Sequence, residues 1–167
     1  GTRAVDSHYR PERRAEPRVG NPRGYSHSFS LIHVVIRTIL IDDEADGRET
    51  LRMALEKYCP QINIISVCES AQAGKEAIER LQPDLVFLDV QMPYMSGFEL
   101  LQGLATIDFT VIFVTAFDRY AIKAIKFSAL DYLLKPVDIV DLVEAVAKVR
   151  QSESLPSHAF HSAFNNS

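Results

Sequence analysis

The chain has 167 residues, 47% of them hydrophobic and 24% charged, with a formal net charge of −4. That composition suits one domain with a real core and excludes wholesale disorder. The acidic balance excludes a dominant nucleic-acid footprint, and no apolar run approaches the ~20 residues of a membrane span.

Charge is unevenly placed. Residues 1–34 carry six Arg against three acids, a net of +3, which leaves −7 for residues 35–167. Arg, Pro, Gly, Ser and His dominate this stretch without apolar periodicity, so residues 1–34 read as a disordered basic arm. Translation from an alternative start codon at Val35 would make that arm non-native read-through; finding it on protein isolated from the host would exclude this. Cys59 and Cys68 are too few for a disulfide framework or a zinc site. They read as buried or half-buried thiols of a reducing compartment, so a cytoplasmic location is expected.

A regular alternation occupies residues 35–151. Val34–Ile36 and Thr38–Ile41 form an apolar run ending in acids, the pattern of a buried parallel strand. Asp46–Tyr58 places Leu51, Ala54, Leu55 and Tyr58 at helical spacing, with Pro60 beyond it. Ile62–Cys68 reads as a strand, and Ala71–Leu81 as a helix capped by Ser70. Leu85–Leu88 is an apolar strand ending in Asp89, and Phe98, Leu100, Leu101 and Leu104 predict a short helix after Gly97. Val111–Val114 is the next strand, Tyr120–Phe127 a helix, Tyr132–Leu134 a short strand, and Asp138–Val149 an amphipathic helix. Residues 152–167 show no period and read as a flexible tail or the start of a linker. Five strands alternating with five helices predict an α/β fold, a doubly wound parallel sheet covered on both faces.

In such sheets ligands gather outside the carboxyl ends of the strands. The first strand delivers Asp42, Asp43 and Glu44 there, the third Asp89, the fourth Thr115 and the fifth Lys135. Each alone has an ordinary explanation, as a helix cap, a turn acid, a strand former or a solvated lysine. Together, at matching strand ends, they form a chemical set. Clustered carboxylates repel unless a hard cation sits among them, and oxygen ligands suit magnesium. A carboxylate so held can attack a phosphoryl group and become an acyl phosphate. Lys135 would then supply positive charge to the equatorial oxygens, and Thr115 a hydroxyl donor.

These residues carry a resemblance. Ile-Leu-Ile-Asp42-Asp43-Glu44, Leu-Val-Phe-Leu-Asp89-Val-Gln-Met-Pro93-Tyr-Met-Ser-Gly97, Val-Ile-Phe-Val-Thr115-Ala116 and Ala-Leu-Asp-Tyr132-Leu-Leu-Lys135-Pro136 resemble the four motifs of two-component response-regulator receiver domains. The resemblance covers about residues 36–151 and implies a flavodoxin-like fold of strand order 2-1-3-4-5. It implies that Asp89 is the phosphoacceptor and that Asp43, Asp89 and the backbone carbonyl of Gln91 ligate Mg2+, with Mn2+ as a substitute. Asp42 would act largely through water on the metal. Thr115 would be the switch hydroxyl, Tyr132 its aromatic partner, and Lys135 the family's cation, followed by a cis bond to Pro136. Gly97 would allow a backbone conformation or a helix entry that a side chain would crowd.

The implied activity is a signalling switch rather than a turnover enzyme: a sensor histidine kinase donates the phosphoryl group. Phosphorylation would bias the face of the fourth helix, fifth strand and fifth helix, with Tyr120, Ile122, Lys126 and Tyr132 on it and a homodimer formed through it. Ile122 and Ile125 could equally fill the core. Thr115-Ala-Phe-Asp-Arg-Tyr120-Ala-Ile-Lys-Ala-Ile with Asp131-Tyr-Leu-Leu-Lys-Pro is similar to receivers that precede LytTR-type DNA-binding domains, which points to a transcriptional output. That output domain is not expected within 167 residues, so no direct nucleic-acid or membrane binding is expected of this chain. Gln91 and Phe117, two places after Asp89 and Thr115, should flank the path of a hydrolytic water. A haloacid-dehalogenase-type phosphatase would want an acid where Gln91 stands. A pseudo-receiver would lack part of the acid, Thr and Lys set.

Overall fold

The computed structural model of the chain describes residues 34–153. The expected basic arm up to residue 33 and the expected tail beyond Glu153 lie outside the described residues. Five strands and five helices alternate: β1 Ile36–Ile41, α1 Ala45–Tyr58, β2 Ile62–Cys68, α2 Ala71–Leu81, β3 Leu85–Leu88, α3 Gly97–Gln102, β4 Thr110–Thr115, α4 Ala121–Lys126, β5 Asp131–Leu134 and α5 Ile139–Glu153. The strands pair in parallel in the order β2-β1-β3-β4-β5. This is the doubly wound fold that the alternation and the resemblance predict.

The central strands are apolar on both faces because both faces are covered. Ile39, Ile41, Val86, Leu88, Val111 and Phe113 pack with Ala77, Ile78, Leu100 and Leu101 of α2 and α3. Ile36, Leu40, Leu85, Phe87, Ile112 and Val114 pack with Leu51, Leu55, Leu142 and Val146 of α1 and α5. Each fully buried Leu, Ile or Phe contributes about 1.5–3 kcal/mol, so these two layers, Leu100 and Leu101 of the short α3 included, hold the domain together. Cys59 and Cys68 are buried free thiols. No helix among the described residues is long and apolar enough to cross a membrane.

Local differences from expectation have local causes. The first strand begins at Ile36, whose N–H donates to Gln61 O (2.8 Å); β2 offers no partner to the exposed Val34 and Val35. A separate 3-10 turn, Asp118–Tyr120, precedes the fourth helix, which ends at Lys126, two residues before Ser128, whose φ is 57°. Asp138 caps α5, its carboxylate accepting from Val140 N (2.8 Å) and Asp141 N (3.3 Å). Ser70 caps α2 as expected, accepting from Ala73 N (3.1 Å). Ile122 and Ile125 are 75% and 74% exposed, so they do not fill the core; Ala124 is the buried residue of α4.

Gly97 shows which of its two expected reasons applies. No glycine among the described residues has positive φ, so conformational freedom is not the cause. A Cβ on Gly97 would instead lie 2.3 Å from Asp89 O and 3.0 Å from Leu88 Cγ. Gly97 N also donates to Val90 O (2.8 Å), which seats the start of α3 against the turn after β3. Gly97→Ala should therefore destabilise the domain by about 3 kcal/mol, since backbone cannot swing aside as a side chain does. Denaturant unfolding measures this. A loss below about 1 kcal/mol would mean that the turn shifts freely, contrary to tight seating.

Candidate functional site

The parallel ladder continues one step past the strands and aims the site residues. Asp42 N donates to Cys68 O (3.1 Å), Asp89 N to Ile41 O (3.0 Å) and Lys135 N to Thr115 O (2.9 Å). The carboxyl edge thus brings together Asp42, Asp43, Asp89, Thr115 and Lys135, as the strand-end reading expects. One carboxylate oxygen from each of Asp42, Asp43 and Asp89 lies within 4.8 Å of the others, a set of hard donors that fits a divalent cation. The Lys135–Pro136 bond is cis, as the resemblance implies.

Lys135 is the hub. Its Nζ lies 2.6 Å from Asp42 Oδ2, 3.1 Å from Asp89 Oδ2 and 3.5 Å from Glu44 Oε1. Burial works against its charge, but hydrogen bonding to Asp42 and the attraction of Asp89 and Asp42 outweigh it and hold the ammonium above its ordinary range. Asp89 is 3% exposed. Burial pushes its carboxyl up to about 6; Lys135 opposes that rise and the nearby Asp42 charge adds to it. Thr115 Oγ1 is fully buried and meets no hydrogen-bond partner among the described residues. Its nearness to Asp89 is the weakest of the influences that favour the charged carboxylate.

Asp42 is fastened on several sides. Its Oδ1 accepts from Glu44 N (2.9 Å), and its backbone carbonyl accepts from Arg48 Nη1 (2.7 Å). Gly47 leaves room for this: a Cβ there would lie 2.9 Å from Asp42 Oδ2 and 3.3 Å from Lys135 Nζ. Sequence reasoning missed Arg48 and Gly47, because neither belongs to a periodic pattern. The only available signal was their place in the first turn after the acids.

The mouth of the site is walled by the turns after β3 and β4. Gln91 N donates to Asp89 Oδ1 (3.3 Å), and Gln91 Nε2 donates to Tyr120 OH (2.7 Å). Phe117 is half-buried, and its backbone carbonyl accepts from the half-buried Tyr132 hydroxyl. The expected surface of α4, β5 and α5 is present, with Ile122, Ile125, Lys126, Leu134 and Val140 exposed and Tyr120 and Tyr132 half-buried.

A five-stranded parallel sheet in this order, with acids and a lysine at its carboxyl edge, defines a receiver-type α/β signalling domain. The chain belongs to the response regulator receiver domain family, whose family model matches residues 38–147, and so to two-component signalling. It is 42% identical over 122 residues to the transcriptional regulatory protein BtsR of Escherichia coli (strain K12), covering 72% of this chain and 50% of that one. An uncharacterized response regulatory protein of Vibrio cholerae is 44% identical over 116 residues, covering 69% and 48%. The chain spans about half the length of the curated relatives it matches. Among solved structures, the REC domain of AraT, a response regulator from Geobacillus stearothermophilus, is 31% identical with a TM-score of 0.64. That match covers 71% of this chain and 95% of that one.

Proposed function

We propose that Asp89 accepts a phosphoryl group from a sensor histidine kinase and that the acyl phosphate switches the domain. One observation carries this reading: Thr115 Oγ1 is buried without a partner at the end of β4, beside the Asp89 carboxylate. An unsatisfied buried hydroxyl costs about 1–3 kcal/mol, so it wants an acceptor. A phosphoryl oxygen on Asp89 supplies one.

Asp42, Asp43, Asp89 and the Gln91 carbonyl would hold Mg2+, or Mn2+ in its place. The ion would neutralise charge on the transferred group. The Asp89 carboxylate oxygen attacks phosphorus while Lys135 and Thr115 hold the equatorial oxygens, and the bond from phosphorus to the kinase histidine nitrogen breaks, its electron pair staying on the imidazole. As Thr115 turns toward the new group, Tyr132 moves with it and biases the α4, β5 and α5 surface. The exposed Ile122 and Ile125 suit that surface to a homodimer. The similarity of residues 115–125 and 131–136 to receivers of LytTR-type regulators supports a transcriptional output.

Incubation with Mg2+ and a small-molecule phosphodonor tests the reading, with a mass gain of ~80 Da expected for one phosphoryl group. No gain, or a gain independent of the divalent ion, would overturn it. Phe117 offers no group to orient an attacking water, so self-dephosphorylation should be slow. Phe117→Glu should speed it at least about threefold, toward the range of general base catalysis. Acceleration under about twofold would count against that role for this position.

A further inference from the structure

Tyr120 ties the turn after β3 to the turn after β4. Its phenol oxygen accepts from Gln91 Nε2 (2.7 Å) on the β3–α3 turn and from Arg119 Nη2 (3.1 Å) on the β4–α4 turn. Two donors on one phenol oxygen occupy both of its lone pairs. The ring is fixed independently, with its centroid 6.1 Å from that of Phe98 and 6.2 Å from that of Phe117, edge-on in both cases. The Arg119 guanidinium lies 5.0 Å from the Phe117 and Tyr120 ring centroids alike, bracketing the pair. Gln91, whose backbone N–H reaches Asp89 Oδ1, is therefore held at both ends.

Left to itself, an exposed glutamine would sample several rotamers and leave the mouth open. Here the residue two places after Asp89 is bonded to the Tyr120 hydroxyl, and the residue two places after Thr115 packs against the same ring. We infer that Tyr120 is a positioning residue, a latch that holds Gln91 and Phe117 across the mouth of the Asp89 site and slows the approach of hydrolytic water. The inference rests on the proposed phosphoacceptor role of Asp89. In the hydrolysis that it retards, the water oxygen bonds to phosphorus and the bond to the Asp89 oxygen breaks. That oxygen leaves with the electron pair as free carboxylate, and the water protons pass to inorganic phosphate and solvent. The ordinary alternative is that Tyr120 only fills space beside Phe98. Tyr120→Phe keeps that packing and removes only the hydroxyl, so it separates the two.

The full chain is charged with Mg2+ and a small phosphodonor, the donor is removed, and the decay of the phosphorylated mass is followed. Tyr120→Phe should shorten the half-life about fivefold, the worth of one ordinary hydrogen bond expressed as a rate. Gln91→Leu, which removes the other end of the tie at similar size, should do likewise. The double variant should decay no faster than either single one, because both remove the same contact. Amide exchange of Gln91, Met92 and Tyr94 in the metal-free chain should also quicken in Tyr120→Phe, a readout independent of the chemistry. A half-life within twofold of the unaltered chain, or single effects that multiply in the double variant, would overturn the latch. Absence of any mass gain in the unaltered chain would sink the phosphoacceptor reading, and the latch with it.

Discussion

Asp89→Asn is expected to lower phosphoryl uptake by at least about a thousandfold, below detection by intact mass, as befits loss of a covalent nucleophile. The amide oxygen of asparagine is neutral and cannot form the mixed anhydride that a carboxylate forms. The exchange keeps size and burial, so the fold is not at issue: residue 89 is 3% exposed and its backbone N–H remains bonded to Ile41 O. Lys135 keeps its 2.6 Å contact with Asp42 and so stays in place. Parallel measurement of the two chains under identical Mg2+ and donor isolates the acceptor. Persistent uptake in the variant would move the acceptor elsewhere, with Asp42 and Asp43 the first places to look.

The same substitution should stabilise the metal-free protein at neutral pH. Burial raises the Asp89 carboxyl from 3.8 to about 6, against the pull of Lys135 and with the push of Asp42. The folded state therefore binds this proton more tightly than the unfolded chain does. Protonation favours folding below about pH 4, and that contribution is lost as pH rises through about 6. Above that, the fold carries a buried charge that asparagine lacks. The variant should gain up to about 3 kcal/mol at pH 7.5, seen as a melting temperature higher by several degrees, with the gain vanishing near pH 4. Millimolar Mg2+ should narrow the gap by stabilising the parent chain through its intact acids. Equal melting temperatures at pH 7.5 without metal would show that Asp89 ionises without strain, contrary to its burial.

The strands were legible because a sheet covered on both faces needs unbroken apolar runs, such as Leu85–Leu88 and Val111–Val114. The acids and the lysine at their ends were legible because chain direction alone places them on one edge. Strand order came from resemblance, since periodicity says nothing about which strands are neighbours. Helix α4 was ambiguous for a physical reason. Ala121, Ile122, Ala124 and Ile125 offer apolar residues on several sides, and tertiary packing chose Ala124 rather than either isoleucine for burial. Gly47, Arg48 and the Tyr120 tie were illegible because their roles lie in contacts between turns, which no spacing along the chain encodes.

The salt bridges of Lys135 join the end of the last strand to the ends of the first and third, and the other four strands precede the last one in sequence. A chain emerging during synthesis would possess its acids and the β1–β3 pairing well before β5 could dock. Contacts of such sequence separation close late and slowly, because loop entropy must be overcome first. The acceptor would thus exist in a partly folded chain without the ammonium that completes its surroundings. Competence to receive a signal would then be acquired together with the final strand, and phosphoryl uptake would report completed folding as well as signalling.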